Sequence, residues 1–324
     1  MSRFVLTALA AALLLVAPLE VAIISTPGPG EVSELRFQRP AARLAEPVAS
    51  FSHVAGSTVH ASLLPGTRTV LAIAQTVSSR DTSWAASLLR LEPGKPAVQL
   101  ASRVAISTRP LVTRDGRVFV QRSTNGQSIT IDEVNPKTGA LRAIHTFEGH
   151  LAFIAGAYEG EVLVYRVGRD GADLVAVHRD ALGVRVLTKL TPMARDFVVS
   201  GASLIFTTAD ADGWLVAQVD LKSGAMSTIA RSSHVAALPT LVDGRLALCP
   251  GPGEGLRSLD GKLALLPRGP GFERVVATAQ GLAFVLHELA SDFPRAYATE
   301  LKTGKVLELA APPSTRLDVA GVVE

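Results

Sequence analysis

The chain has 324 residues, 48% of them hydrophobic and 19% charged, with a formal net charge of +3. That balance excludes a disordered chain and supplies a sizeable buried core. The basic excess is too small to indicate a nucleic-acid partner. Cys249 is the only cysteine, which excludes an intramolecular disulfide and a cysteine-based zinc site.

The first 25 residues read as a targeting segment. Arg3 gives a positive end and Phe4–Leu19 carries no charge. Glu20 interrupts, and Val21–Ile24 resumes the apolar run. From Phe4 to Ile24 it is 21 residues long, near the ~20 that span a bilayer. A hydrophobic helix that stays as a signal anchor and a secretory signal that is cleaved both fit this order. Cleavage sites are poor: the Ala17 candidate has Leu15 at the −3 position and Pro18 after it. Either way the body of the protein is expected outside the cytoplasm, membrane-anchored in the first case and secreted or periplasmic in the second. Residues 26–47 hold Pro27, Pro29, Pro40 and Pro47 and read as an extended linker.

Residues 48–324 repeat one grammar. Its clearest instance is Arg109–Phe147, four short strands joined by Asp115-Gly116, Asn125-Gly126 and Pro136–Gly139. Those pairs provide the positive-φ residues that tight hairpins need. Comparable units run over His60–Arg103, Leu151–Leu190, Asp196–Ala230, Val235–Leu266 and Glu273–Leu309. The glycines of the third hairpin, Gly94, Gly139, Gly183, Gly224, Gly261 and Gly304, are spaced by 45, 44, 41, 37 and 43 residues. Antiparallel four-stranded units at this period predict an all-β propeller. Six four-stranded blades account for the units. Val48–Val54 and Arg316–Val323 are left over, the latter resembling an innermost strand. They close the first blade, or they belong to a seventh blade built from both ends.

Three of the third hairpins share a sequence: Asn135-Pro-Lys-Thr-Gly139, Asp220-Leu-Lys-Ser-Gly224 and Glu300-Leu-Lys-Thr-Gly304. They resemble the D-x-x-[ST]-G core of quinoprotein-like (PQQ-like) propeller repeats. In that family a Trp four residues past the glycine docks neighbouring blades. Here Ala143, Thr228 and Glu308 hold those positions. The resemblance therefore implies the fold without the docking ring, and no cofactor is expected.

Propellers place ligand-binding side chains at the starts of their innermost strands. Counting back from each second strand gives His60, Arg109, Phe153, Arg195, Ala237 and Arg274. The polar members, His60, Arg109, Arg195 and Arg274, make a basic channel mouth. Arg suits bidentate contact with a carboxylate or phosphate. No carboxylate ring is present for a hard cation, which wants several converging oxygens. No catalytic residue and no metal site is assigned. Thr208-Ala-Asp-Ala-Asp-Gly213 lacks the ligands of a calcium loop and reads as a hairpin. Five of the chain's seven lysines, Lys95, Lys137, Lys222, Lys262 and Lys302, occupy the same turn in different units. They form a candidate docking face for an acidic partner or anionic lipid. The expected function is a non-catalytic scaffold that binds a protein partner or envelope component. The alternative is a hydrolase acting on a lactone, ester or sugar in the central channel.

Overall fold

A computed structural model describes residues 19–28, 30–78, 84–106, 108–123, 125–181, 183–232, 238–265, 271–288 and 294–323. These residues are all-β, with no α-helix among them. Strands β1 (Glu20–Pro27), β2 (Val32–Gln38) and β3 (Ala49–Ser52) come first. Next are β4 (His60–Leu63), β5 (Val70–Gln75), β6 (Ala86–Leu91) and β7 (Val98–Val104), then β8 (Leu111–Val112), β9 (Val118–Arg122), β10 (Ser128–Val134) and β11 (Leu141–Glu148). The middle of the chain forms β12 (Leu151–Tyr158), β13 (Glu161–Gly168), β14 (Gly171–His178) and β15 (Val184–Leu190). It continues with β16 (Arg195–Ser200), β17 (Ser203–Asp210), β18 (Gly213–Asp220) and β19 (Met226–Ser232). The remainder is β20 (Leu238–Val242), β21 (Arg245–Cys249), β22 (Leu256–Ser258), β23 (Ala264–Leu265), β24 (Phe272–Ala279), β25 (Leu282–Glu288), β26 (Arg295–Glu300), β27 (Val306–Glu308) and β28 (Thr315–Val323).

Consecutive strands pair as antiparallel hairpins, so each group of four is a meander with its first strand on one edge. The first strands lean on one another in sequence, β28 on β4, β4 on β8, β12 on β16, β16 on β20, β20 on β24 and β24 on β28, while β12 meets the preceding group through β9. Groups β4–β7 and β8–β11 touch further out as well, through the pair Val104–Arg122 and the backbone bonds Ala105–Gln121 and Ser123–Arg103 beside it. Closure comes from the two ends of the chain. The order β28-β1-β2-β3 puts the last strand beside the first, paired from Glu20–Val323 to Pro27–Thr315 with one bulge between Ala22 and Ile23.

This sheet corrects two expectations about the N-terminal region. Val21–Ile24 do not extend an apolar helix; they lie in β1, and the expected linker contains β2. The reason lies in the packing of β1. Val21 and Ile23 face a cluster with Phe284, Leu286 and Val319, while Ala22 and Ile24 face Leu35, Ala61 and Ala72. A strand buried on both sides is apolar at every position, and periodicity alone does not separate it from a helix. Glu20, at the strand's start, is held by Arg68 at 3.2 Å and Arg39 at 3.5 Å. Residues 1–18, with the rest of the expected targeting segment, lie outside the described residues. No helix among those described is long and apolar enough to cross a membrane.

The remaining groups pack by the same rule. Leu163 and Leu174 of β13 and β14 meet Leu204 and Phe206 of β17 in one fully buried cluster. The third hairpins dock on the preceding group: a Cβ on Gly224 would overlap the Leu187 carbonyl oxygen, and Gly224 has φ +75°. Only glycine tolerates both conditions.

Candidate binding site at the channel mouth

Alternation of strand direction defines two faces. Each first strand starts on one face, to which the second hairpin returns; the first and third hairpins lie on the other. His60 opens β4, Arg109 precedes β8, Arg195 opens β16 and Arg274 is the third residue of β24. All four anticipated residues therefore stand at the same end of the innermost strands. Phe153 does not join them in polar contact; it stacks on Tyr165 with ring centroids 6.2 Å apart. Ala237 lies outside the described residues.

The mouth has two sides. On the first, Arg109 donates to Asp318 Oδ1 and to the carbonyl of Ala61, and also to the Val319 carbonyl at 2.9 Å. Asp318 Oδ2 accepts the Ala61 N–H at 2.7 Å. Ser62 adds a bond from its hydroxyl to the Pro110 carbonyl at 2.8 Å. One carboxylate on the last strand thus ties together β28, β4 and the chain entering β8. His60 sits beside this clasp. Burial lowers its pKa; Asp318 opposes that, and Arg109 and Arg274 reinforce it. His60 is accordingly a neutral imidazole at pH 7.

On the second side, β16 bulges between Arg195 and Val198, and Asp196 adopts φ +56°. Arg195 lies over the Trp214 ring, 4.9 Å from its centroid, and its Nε is 3.2 Å from Asp196 Oδ2. That contact is misaligned, and Asp196 Oδ2 is buried with no hydrogen bond. Burial raises the Asp196 pKa, against the pull of Arg195 and Arg274. Arg274 acts on both Asp196 and His60, which joins the two sides into one cluster.

Asp318 was absent from the sequence reading of the mouth, although Arg316–Val323 did resemble an innermost strand. The expectation of a mouth without carboxylates is corrected accordingly: Asp318 and Asp196 stand among the guanidinium groups. No three His, Cys, Asp or Glu side chains converge as metal ligands among the described residues. The Thr208–Gly213 stretch is a two-residue hairpin in which Asp210 pairs with Arg231 at 3.0 Å.

The five lysines lie on the opposite face, all exposed. Their turns depend on backbone groups. Asp220 Oδ1 accepts the N–H of Lys222 at 3.1 Å and of Ser223 at 2.7 Å. Asn135 Oδ1 accepts from Lys137 at 2.9 Å, and Asp260 Oδ1 from Lys262 at 3.1 Å. The ammonium groups take no part in these bonds. Four of the turns also carry an acid, Glu92, Asp220, Asp260 or Glu300, so the lysines do not stand alone electrostatically. A second buried cluster is formed by β24, β25 and β26. There Tyr297 donates to Glu273 at 2.7 Å, and His287 lies 3.5 Å from the same oxygen.

No protein-family model matches the sequence, and no curated protein matches it at a significant level. Solved structures do share its architecture. The TolB of Acinetobacter baumannii aligns with TM-score 0.50 and 12% identity over 93% of this chain; the chain spans 66% of that one. A Lactobacillus plantarum protein aligns at 0.53 and 16%, over 94% of this chain and 98% of its own. The β-propeller domain of the Trilobed protease from Pyrococcus furiosus, described as having an open velcro topology, aligns at 0.53 and 12%, over 78% and 84%. Identities this low speak to fold alone, and the fold is that of a β-propeller.

Proposed function

We propose that this protein is a non-catalytic binding propeller whose channel mouth receives an acidic group of a protein partner or envelope polymer. One observation carries the reading: Arg109, Arg195 and Arg274 and the imidazole of His60 stand at the same end of separate innermost strands. Guanidinium groups in a partly desolvated setting favour carboxylate or phosphate oxygens. We further propose that the ring has seven blades, the alternative left open by the repeat pattern; the pairing of β28 with β1–β3 supports a blade shared by both ends. The likeness of the turns to quinoprotein-like repeats we take as hairpin chemistry, without a quinone. We place the protein outside the cytoplasm on the strength of its apolar N-terminal sequence.

The test uses poly-L-glutamate as probe, with binding followed by tryptophan fluorescence at low and high salt. Wild type binds at low salt, and Arg195→Gln with Arg274→Gln weakens binding at least about tenfold, the scale of one lost charge-assisted contact. A chain that binds no polyanion overturns the reading.

One observation favours the hydrolase alternative. Asp196 is desolvated, its pKa is raised, and its backbone is in a sparsely populated conformation, a combination found at active sites. Ester or lactone hydrolysis lost in Asp196→Asn would transfer the assignment to that class.

A further inference from the structure

Residues 1–18 precede a strand that begins without slack. Leu19 is already buried in the core, and Glu20 is gripped by Arg39 and Arg68. β1 is the second strand of its group, so Glu20 lies on the face of the first and third hairpins, together with the five lysines. A chain extends at most about 3.6 Å per residue. Any bilayer that holds the apolar residues before Leu19 is therefore within a few residues' reach of this face.

The charges near that entry point are unequal. The hairpins of the first three groups place Arg39, Arg43, Arg68, Lys95, Arg114, Arg117 and Lys137 there, against Glu20, Glu46, Glu92 and Asp115. Arg39 and Arg68 pair with Glu20, Lys95 with Glu92 and Arg117 with Asp115, so the net excess is carried by Arg43, Arg114 and Lys137. The next two groups carry no such excess, with Arg179, Arg185 and Lys222 against Glu159, Glu161, Asp180 and Asp220. The basic sector thus sits beside the N-terminal strand. Exposed Leu44, 41% accessible next to Arg43, adds an apolar side chain to it. Basic side chains flanking an apolar residue suit the headgroup layer of an anionic membrane.

We propose that this sector, centred on the β2–β3, β6–β7 and β10–β11 connections, docks on an anionic lipid surface and turns the channel mouth away from it. The proposal rests on the reading that the protein is extracytoplasmic with its apolar N-terminus at a bilayer. It does not depend on what the mouth binds. It also narrows the candidate docking face from five lysines to Lys95 and Lys137 with their arginine neighbours, and leaves Lys222 outside the contact.

The full chain is reconstituted with vesicles of phosphatidylcholine containing 30% phosphatidylglycerol, and single cysteines are labelled with an environment-sensitive fluorophore. Lys137→Cys reports the basic sector, and Arg169→Cys, exposed in the β13–β14 turn, reports the opposite face. Cys249 is fully buried and does not compete for the label. The expected result is quenching by headgroup-depth lipid quenchers at position 137 several-fold stronger than at 169. Equal quenching at both positions, or stronger quenching at 169, overturns the proposal. If the purified chain starts after residue 17, flotation with the same vesicles decides. Binding at low salt that Arg43→Glu with Lys137→Glu abolishes, and Arg169→Glu with Lys189→Glu does not, supports the docked sector. No binding at low salt overturns it. Poly-L-glutamate binding is measured on the same samples, so failure at the mouth and failure at the membrane face are read separately.

Discussion

Asp318 and Asp196 stand on innermost strands of the same channel, each beside an arginine, and have opposite surroundings. Asp318 is 8% exposed and both its oxygens are used, one by Arg109 and one by the Ala61 N–H. Asp196 sits on a bulge at φ +56°, with one oxygen buried and unbonded. The difference separates two uses of a carboxylate. Asp318 joins chain segments 257 residues apart in sequence and contributes to closure of the ring. Asp196 is held in an unfavourable setting, as groups at binding or reacting sites often are.

The largest expected effect follows from the first member of the pair. Asp318→Ala leaves Arg109 without its ion-pair partner and the Ala61 N–H without an acceptor, at a cost of about 3–5 kcal/mol. Equilibrium urea unfolding measures it. A loss under about 1 kcal/mol would show that β28–β1 pairing alone closes the ring.

The next prediction concerns pH on the same side of the mouth. His60 is depressed by burial below its ordinary value of 6.5. The unfolded chain therefore takes up the proton first as pH falls. The stability that neutral His60 contributes is complete above about 6.5 and is lost as pH falls from there toward the lowered folded value. Thermal unfolding between pH 7.5 and 5.5 should show a decline that His60→Gln flattens. Parallel profiles for the two proteins would remove His60 from the cluster.

Asp196 should behave oppositely. Its raised pKa means the fold favours the protonated acid. The stability it contributes is complete below about 3.8 and is lost as pH rises through the folded value. At pH 7 the ionised form is therefore a cost. Asp196→Asn keeps a side chain that tolerates positive φ and should raise stability by up to about 1 kcal/mol. The sharpest form of the comparison is Asp318→Asn beside Asp196→Asn, with Tm shifts of opposite sign. Two losses of equal size would dissolve it.

The smallest effect is expected on the far face. Lys137, Lys222 and Lys302 changed together to Gln should move stability by less than about 0.5 kcal/mol, since their turns use backbone N–H groups and exposed ion pairs contribute little. Differential scanning calorimetry checks this. A drop of several degrees would mean that the ammonium groups hold the turns.

Local chemistry was fully legible in the hairpins. Asn135, Asp220 and Asp260 cap their own turns within three residues, and such bonds depend on nothing distant. The repeat of those turns located the innermost strands closely enough to put His60, Arg109, Arg195 and Arg274 at the same end of them. The first strand of the Arg109–Phe147 unit is only Leu111–Val112, because Pro110 offers no N–H and the Gln121 carbonyl is taken by the Ala105 N–H.

What the sequence determined by itself was whatever depends on residues a few positions apart: β-structure, hairpin positions, the repeat and the strand ends facing the channel. Tertiary structure decided the rest. Val21–Ile24 carry the same side chains in a bilayer helix or a buried strand. Only the meeting of Phe284 on one side and Leu35 on the other makes them β1. Asp318 carries no local mark of its role, because its partners Ala61 and Arg109 lie more than two hundred residues away and reach it only when the last strand closes the ring.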